Sequence, residues 1–143
     1  MVVYADTSFL FSLYAMDGNS AQAHAERLET PIAFTAFQRY ELLNALRLSV
    51  FRKEMTAPQH RAVQALIATD MRQGVLSSFQ VNWAEVYTHA EALSTAYTPK
   101  IGCRALDVLH VAIAQVLNIN MFYTFDIRQR KLACKVDLHV KPR

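Results

Sequence analysis

Short apolar runs, each closed by polar residues and followed by a stretch of helical periodicity, recur along this chain; that alternation restricts the fold more than any other feature. The runs are Val2–Ala5, Ile32–Thr35, Leu76–Val81, Met121–Thr124 and Val136–Val140. Helical patterns are expected over Thr7–Tyr14, Ser20–Glu29, Ala36–Lys53, Ala57–Gln73, Asn82–Tyr97, Ala105–Leu117 and Ile127–Ala133. Start signals support two of them: Thr56 with Pro58 in the first turn, and Asn82 with Glu85 three residues on. Strands separated by helices require right-handed crossovers, hence a mostly parallel sheet covered on both faces. The expected fold is therefore α/β, a three-layer α/β/α arrangement on a central sheet of about five strands. At 143 residues, one domain over 1–143 is the natural reading.

Composition removes several function classes. With 52% hydrophobic and 19% charged residues the chain is too apolar for disorder, yet no run reaches the roughly 20 apolar residues of a membrane span. The N-terminal segment lacks a basic opening and meets Asp6 at once, so it reads as structure rather than a secretory signal, and a cytoplasmic protein is expected. Three glycines, at Gly18, Gly74 and Gly102, exclude the GxGxxG and GxxxxGK nucleotide loops. Cys103 and Cys134 have neither zinc-knuckle nor disulfide-framework spacing and are read as buried small hydrophobes. The GxSxG elbow of acyl-transfer enzymes is absent.

In parallel α/β sheets ligands bind beyond the carboxyl ends of the strands. Asp6 and Asp126 each follow a strand run directly, where N-capping explains an Asp equally well. Asp107 lies near the start of the almost wholly apolar helix Ala105–Leu117, where an unpaired carboxylate is costly; Arg104 and the helix dipole are its structural partners, a metal its functional one. Glu41 sits one position off a core stripe read as Tyr40, Leu43, Leu46 and Val50. Four such acids gathered at one sheet end would repel unless a cation intervened, and hard oxygen donors favour Mg²⁺ or Mn²⁺. His110, three residues after Asp107, shares its helix face and is read as a packed or capping histidine.

With these residues in place the chain resembles the PIN-domain nucleases, especially the VapC-type toxins of toxin–antitoxin pairs. The resemblance is carried by VVYADTSFLFSLY, RYELLNALRLS, RALDVLHVAIAQ and YTFDIRQRKLA, which in order span almost the whole chain. It implies that Asp6, Glu41, Asp107 and Asp126 are acidic metal ligands supported by the hydroxyls of Ser8 and Thr124. It also implies a PIN-like fold, an Mg²⁺- or Mn²⁺-dependent endoribonuclease acting on structured RNA such as tRNA or rRNA, a cognate antitoxin and a homodimer. The helix pair from Ala36 to Gln73 is the expected partner surface. Net charge is +3 with pI near 9.0, and committing four of the twelve acids to metal leaves eight against fifteen basic residues. Arg39, Arg128 and Arg130 are the residues assigned to the RNA backbone. A catalytically silent RNA-binding or regulatory module is the alternative, and a phosphate-transfer domain ranks below it because Asp6 has Thr7 and Ser8 rather than a second acid beside it.

Overall fold

The computed structural model describes residues 1–28 and 31–143. Its elements run β1 (Val3–Ala5), α1 (Thr7–Tyr14), α2 (Ser20–Ala25), β2 (Ile32–Phe34), α3 (Ala36–Phe51), α4 (Ala57–Arg72), β3 (Leu76–Ser78), α5 (Trp83–Ile101), α6 (Ala105–Val116), β4 (Met121–Tyr123), α7 (Ile127–Lys135) and β5 (His139–Lys141). The five strands form one sheet in the order β3-β2-β1-β4-β5, and every pairing is parallel. Among the described residues no helix is long and apolar enough to cross a membrane.

Strand periodicity divides the core into two layers. Tyr4, Ala33 and Phe122 face a cluster built from Val86 and Leu93 of α5, Val108 to Ala114 of α6, and Leu132 of α7. Val3, Ala5, Ile32, Phe34 and Tyr123 face the opposite cluster, with Phe9 and Leu10 of α1, Leu42 and Leu46 of α3, and Ile67 of α4. The sheet is thus buried on both sides, the three-layer arrangement the alternation predicts.

Several boundaries differ from expectation for local reasons. The third strand stops at Ser78 rather than Val81, and the last strand is His139–Lys141 rather than Val136–Val140, because α7 continues to Lys135 before the chain turns. The second helix ends at Ala25; Glu29, its expected last residue, lies outside the described residues. Helix α5 runs past Tyr97 to Ile101 although it contains Pro99. That proline forgoes a bond to the carbonyl of Thr95, an exposed residue whose carbonyl water can satisfy, and the helix closes at Gly102 in the left-handed conformation, φ 73°. Cys103 is buried as expected, but Cys134 is exposed.

The core stripe of α3 needs correcting. Tyr40 is 70% exposed, whereas Gln38, Leu42, Leu46 and Ser49 are buried. Gln38 sets this phase: its Oε1 accepts from the Thr35 backbone N–H at 2.8 Å and its Nε2 donates to the Ala5 carbonyl at 2.8 Å. A buried glutamine tied to β1 turns Leu42 and Leu46 inward at i+4 spacing and carries Glu41 onto the flank facing α6.

Candidate active site

The strand order reverses between β1 and β4: the chain leaves β1 for β2 on one side and reaches β4 on the other. Such a switch point opens a crevice beyond the carboxyl ends of the strands. Asp6 follows β1 immediately and N-caps α1, its Oδ1 accepting from the Phe9 N–H at 2.9 Å and the Ser8 hydroxyl at 2.7 Å. Its Oδ2 accepts from the Thr124 hydroxyl at 2.5 Å. Thr124 in turn accepts from the Asp126 N–H at 2.9 Å, and Ser8 Oγ accepts from the Phe125 N–H at 3.0 Å. Asp6 thereby ties the β1–α1 turn to the β4–α7 turn. Burial pushes its carboxyl above the usual range, and the charge of His110 and the three donors only partly offset this.

Asp107 enters from α6. Its Oδ2 accepts from the Arg104 backbone N–H at 3.1 Å, the reciprocal half of a capping box, and from Arg104 Nε at 3.3 Å. Its Oδ1 accepts from Gln129 Nε2 at 3.3 Å. Asp126 N-caps α7 by accepting from the Gln129 N–H at 2.9 Å, and its Oδ2 lies 3.5 Å from Arg104 Nη2. The Arg104 side chain, 67% exposed, therefore spans two carboxylates from the rim.

Glu41 arrives from α3. It accepts from the Thr7 hydroxyl at 2.6 Å and pairs with His110 Nε2 at 2.5 Å. Partial burial pushes its carboxyl up, but the His110 hydrogen bond and charge, with the Thr7 hydroxyl, outweigh that and hold it below the usual value. An ionised carboxylate only accepts, so His110 Nε2 carries a proton. His110 Nδ1 meets the Tyr4 hydroxyl at 2.7 Å, and burial, with the charges of Asp6 and Glu41, holds that phenol protonated far above its usual range. Phe37 packs on the imidazole with centroids 4.9 Å apart. His110→Ala is expected to lower stability by about 3 kcal/mol in urea denaturation, combining a cavity with a buried phenol left unpaired. A loss under 1 kcal/mol would show that the network contributes little.

Glu41, Asp107 and Asp126 line one hollow of about 370 Å³ together with Arg104, His110 and Gln129. Asp6 does not line it; Asp6 is fully buried behind Ser8, which does. Three carboxylates outnumber the Arg104 guanidinium and the His110 imidazole that line the hollow with them. In this arrangement no three His, Cys, Asp or Glu side chains among the described residues converge on one point, since Arg104 spans two of the acids and His110 holds the third. The donor set nevertheless suits a hard cation, being all oxygen, and Gln129 Oε1 is a buried acceptor with no partner beside it.

Of the residues assigned to RNA, Arg128 is exposed, Arg130 donates to the Thr124 carbonyl at 2.9 Å, and Arg39 lines a separate hollow. Sequence reasoning missed Thr7 and Gln129, and named Arg104 only as a partner of Asp107. Gln129 sits three residues after Asp126, as His110 does after Asp107, and that one-turn spacing was the available signal.

A PIN domain family model matches residues 3–135, so the chain belongs to the PIN-domain family. Among solved structures it is similar to VapC20 of Mycobacterium tuberculosis, described as a sarcin-ricin loop cleaving toxin, with 17% identity, TM-score 0.68, and 99% of this chain and 100% of that chain covered. It is similar also to VapBC2 of Rickettsia felis bound to a promoter DNA fragment (16% identity, TM-score 0.67, coverage 99% and 98%). FitAcB of Neisseria gonorrhoeae aligns at 16% identity and TM-score 0.65, with coverage of 99% and 97%. These likenesses show the fold. No curated protein sequence matches the chain.

Proposed function

We propose that this protein is a divalent-metal-dependent endoribonuclease, the toxin of a VapBC-type pair. One observation carries the reading: acids from three separated helical segments, Glu41, Asp107 and Asp126, share a hollow at the switch point of a PIN-domain sheet, with Asp6 directly behind. Asp107, Asp126, Glu41 and Asp6 would hold Mg²⁺ or Mn²⁺. When bound, the ion supplies Lewis acidity, lowering the pKa of water and offsetting charge on a phosphate undergoing hydrolysis. His110 and Thr7 hold the Glu41 carboxylate at the edge of the hollow. Ser8 and Thr124 hold Asp6 in the same way. Arg104, at the rim, is placed to bind a phosphate of the strand.

The proposal includes RNA as substrate, supported by the loop-cleaving toxin of Mycobacterium tuberculosis, a cognate antitoxin, supported by the likeness to VapBC2 and FitAcB, and a homodimer, which rests on the family resemblance alone. A second hollow of about 320 Å³, lined by Phe11, Tyr14, Met16, Met55 and Val63, is the surface we assign to the antitoxin; Met55 and Val63 belong to the Ala36–Gln73 segment expected as the partner surface, and Phe11, Tyr14 and Met16 lie outside it.

The test is incubation of the purified protein with total cellular RNA and Mn²⁺ or Mg²⁺. Cleavage is expected, abolished by EDTA, restored by added metal, and falling steeply between low and physiological salt. RNA left intact under all these conditions would defeat the reading. The alternative, a silent RNA-binding module, is favoured by one observation, the Arg104 guanidinium already balancing Asp107 and Asp126. RNA binding that is indifferent to metal, without cleavage, would decide for it.

A further inference from the structure

We propose that the hollow beside Arg39, Phe79 and Trp83 is a subsite that takes one unstacked nucleobase of the RNA strand, next to the phosphate being cut. This rests on the nuclease reading above and names part of its substrate contact. The hollow, of about 380 Å³, is lined by the residues that end β2 and β3 and by the first turns of α3 and α5. In an all-parallel sheet these carboxyl ends lie along the same edge as those of β1 and β4, so the hollow and the acidic pocket share one rim.

Phe37 links a residue of each hollow. Its ring meets His110 of the acidic pocket at 4.9 Å on one side and Trp83 at 6.4 Å on the other. The aromatic row continues from Trp83 to Tyr87, 6.3 Å away and 57% exposed. Arg39 and Glu41, two residues apart on α3, serve the two hollows respectively. Among the described residues Arg39 has no salt-bridge partner, and it is the one charged side chain lining its hollow.

Half-exposed aromatic faces beside an uncommitted guanidinium match the chemistry of a splayed single-stranded base and its phosphate: the π-face stacks and the cation meets the backbone. An acidic peptide would use the arginine but not the rings, and a DNA duplex keeps its bases stacked out of reach. Gln80 and Ser78, both exposed on the rim, offer hydrogen bonds to a base edge.

Trp83 is the only tryptophan in the chain, so intrinsic tryptophan emission reports on this hollow alone. The experiment titrates the protein in EDTA with a short end-labelled single-stranded RNA, following label anisotropy for binding and tryptophan emission for stacking. Emission is expected to fall by about half at saturation, an otherwise identical abasic strand to bind about tenfold more weakly without that quench, and Arg39→Ala to raise the dissociation constant about fivefold. Binding with unchanged emission, or equal quenching by the abasic strand, would overturn the subsite. If the same RNA is still cut when Mn²⁺ is added, that failure belongs to the subsite alone; if it is neither bound nor cut, the nuclease reading falls with it.

Discussion

Asp107→Asn is expected to reduce RNA cleavage about a thousandfold, the scale of removing one electrostatic element from a preorganised site, while leaving the fold nearly as stable as before. The two effects separate because of the local hydrogen bonds. The Asp107 Oδ2 acceptor for the Arg104 backbone and side chain is kept when the asparagine oxygen takes that place. The new amide then points at Gln129, which now donates to Oδ1 and whose own Oε1 is buried without a partner. Reversal of the Gln129 amide turns a donor–donor clash into a hydrogen bond and pairs the orphaned oxygen, with Nε2 taking over the unpartnered position, so one unmet group is exchanged for another. We therefore expect urea denaturation to show a change within about 1 kcal/mol, the usual worth of one exchanged hydrogen bond. The pocket meanwhile loses one of three negative charges, so affinity for Mn²⁺, measured by calorimetry, should fall at least tenfold. A variant that cleaves at the original rate would remove Asp107 from the chemistry.

How far the sequence carries can be judged from particular residues. Asp6 and Asp126 were legible because each sits at a strand-to-helix turn, a position that sequence pattern locates well, and both do cap the helices that follow them. The neighbourhood of Ser8 and Thr124 with Asp6 was legible only through resemblance, since 118 positions separate Asp6 from Thr124 and no local periodicity brings them together. Glu41 shows the limit more sharply. Its helix was placed correctly, but the buried face was assigned one step round, because Gln38 was discounted as polar and Tyr40 accepted as apolar. Rotational phase depended on a long-range bond from Gln38 to Ala5, which amphipathic pattern cannot reveal. His110 was seen beside Asp107 on the helix, yet its partners are Glu41 and Tyr4, 69 and 106 positions away. Short-range spacing found the acids; their second partners belong to the packing of three layers.

Asp6→Ala tests the other side of the site, its architecture, and should be the most destabilising single change among the four acids, at about 3 kcal/mol in urea denaturation. Two of the groups it abandons cannot reach water: the Phe9 N–H, and the hydroxyl of Thr124, itself fully buried. Each unpaired buried donor costs about 1–3 kcal/mol, and loss of the α1 cap is part of that sum rather than an addition to it. The half-buried Ser8 hydroxyl can turn elsewhere. Acting in the opposite direction, removal of Asp6 relieves the desolvation that pushes its carboxyl up, which keeps the net effect below the largest estimate. Against a domain stability of about 5–15 kcal/mol, a loss of this size shifts the urea midpoint visibly without unfolding the protein outright. Asp6→Asn provides the contrast. It retains an oxygen for Phe9 and Ser8 but sets an amide N–H where Thr124 Oγ1 now finds its acceptor, so the buried Thr124 hydroxyl proton is left unpaired and about 1 kcal/mol is expected from that one loss. If Asp6 also helps to hold the metal, the asparagine variant stays folded and loses cleavage as Asp107→Asn does. Full activity in Asp6→Asn, beside the expected loss of stability in Asp6→Ala, would make Asp6 a structural clamp between β1 and β4 and leave the metal to Glu41, Asp107 and Asp126.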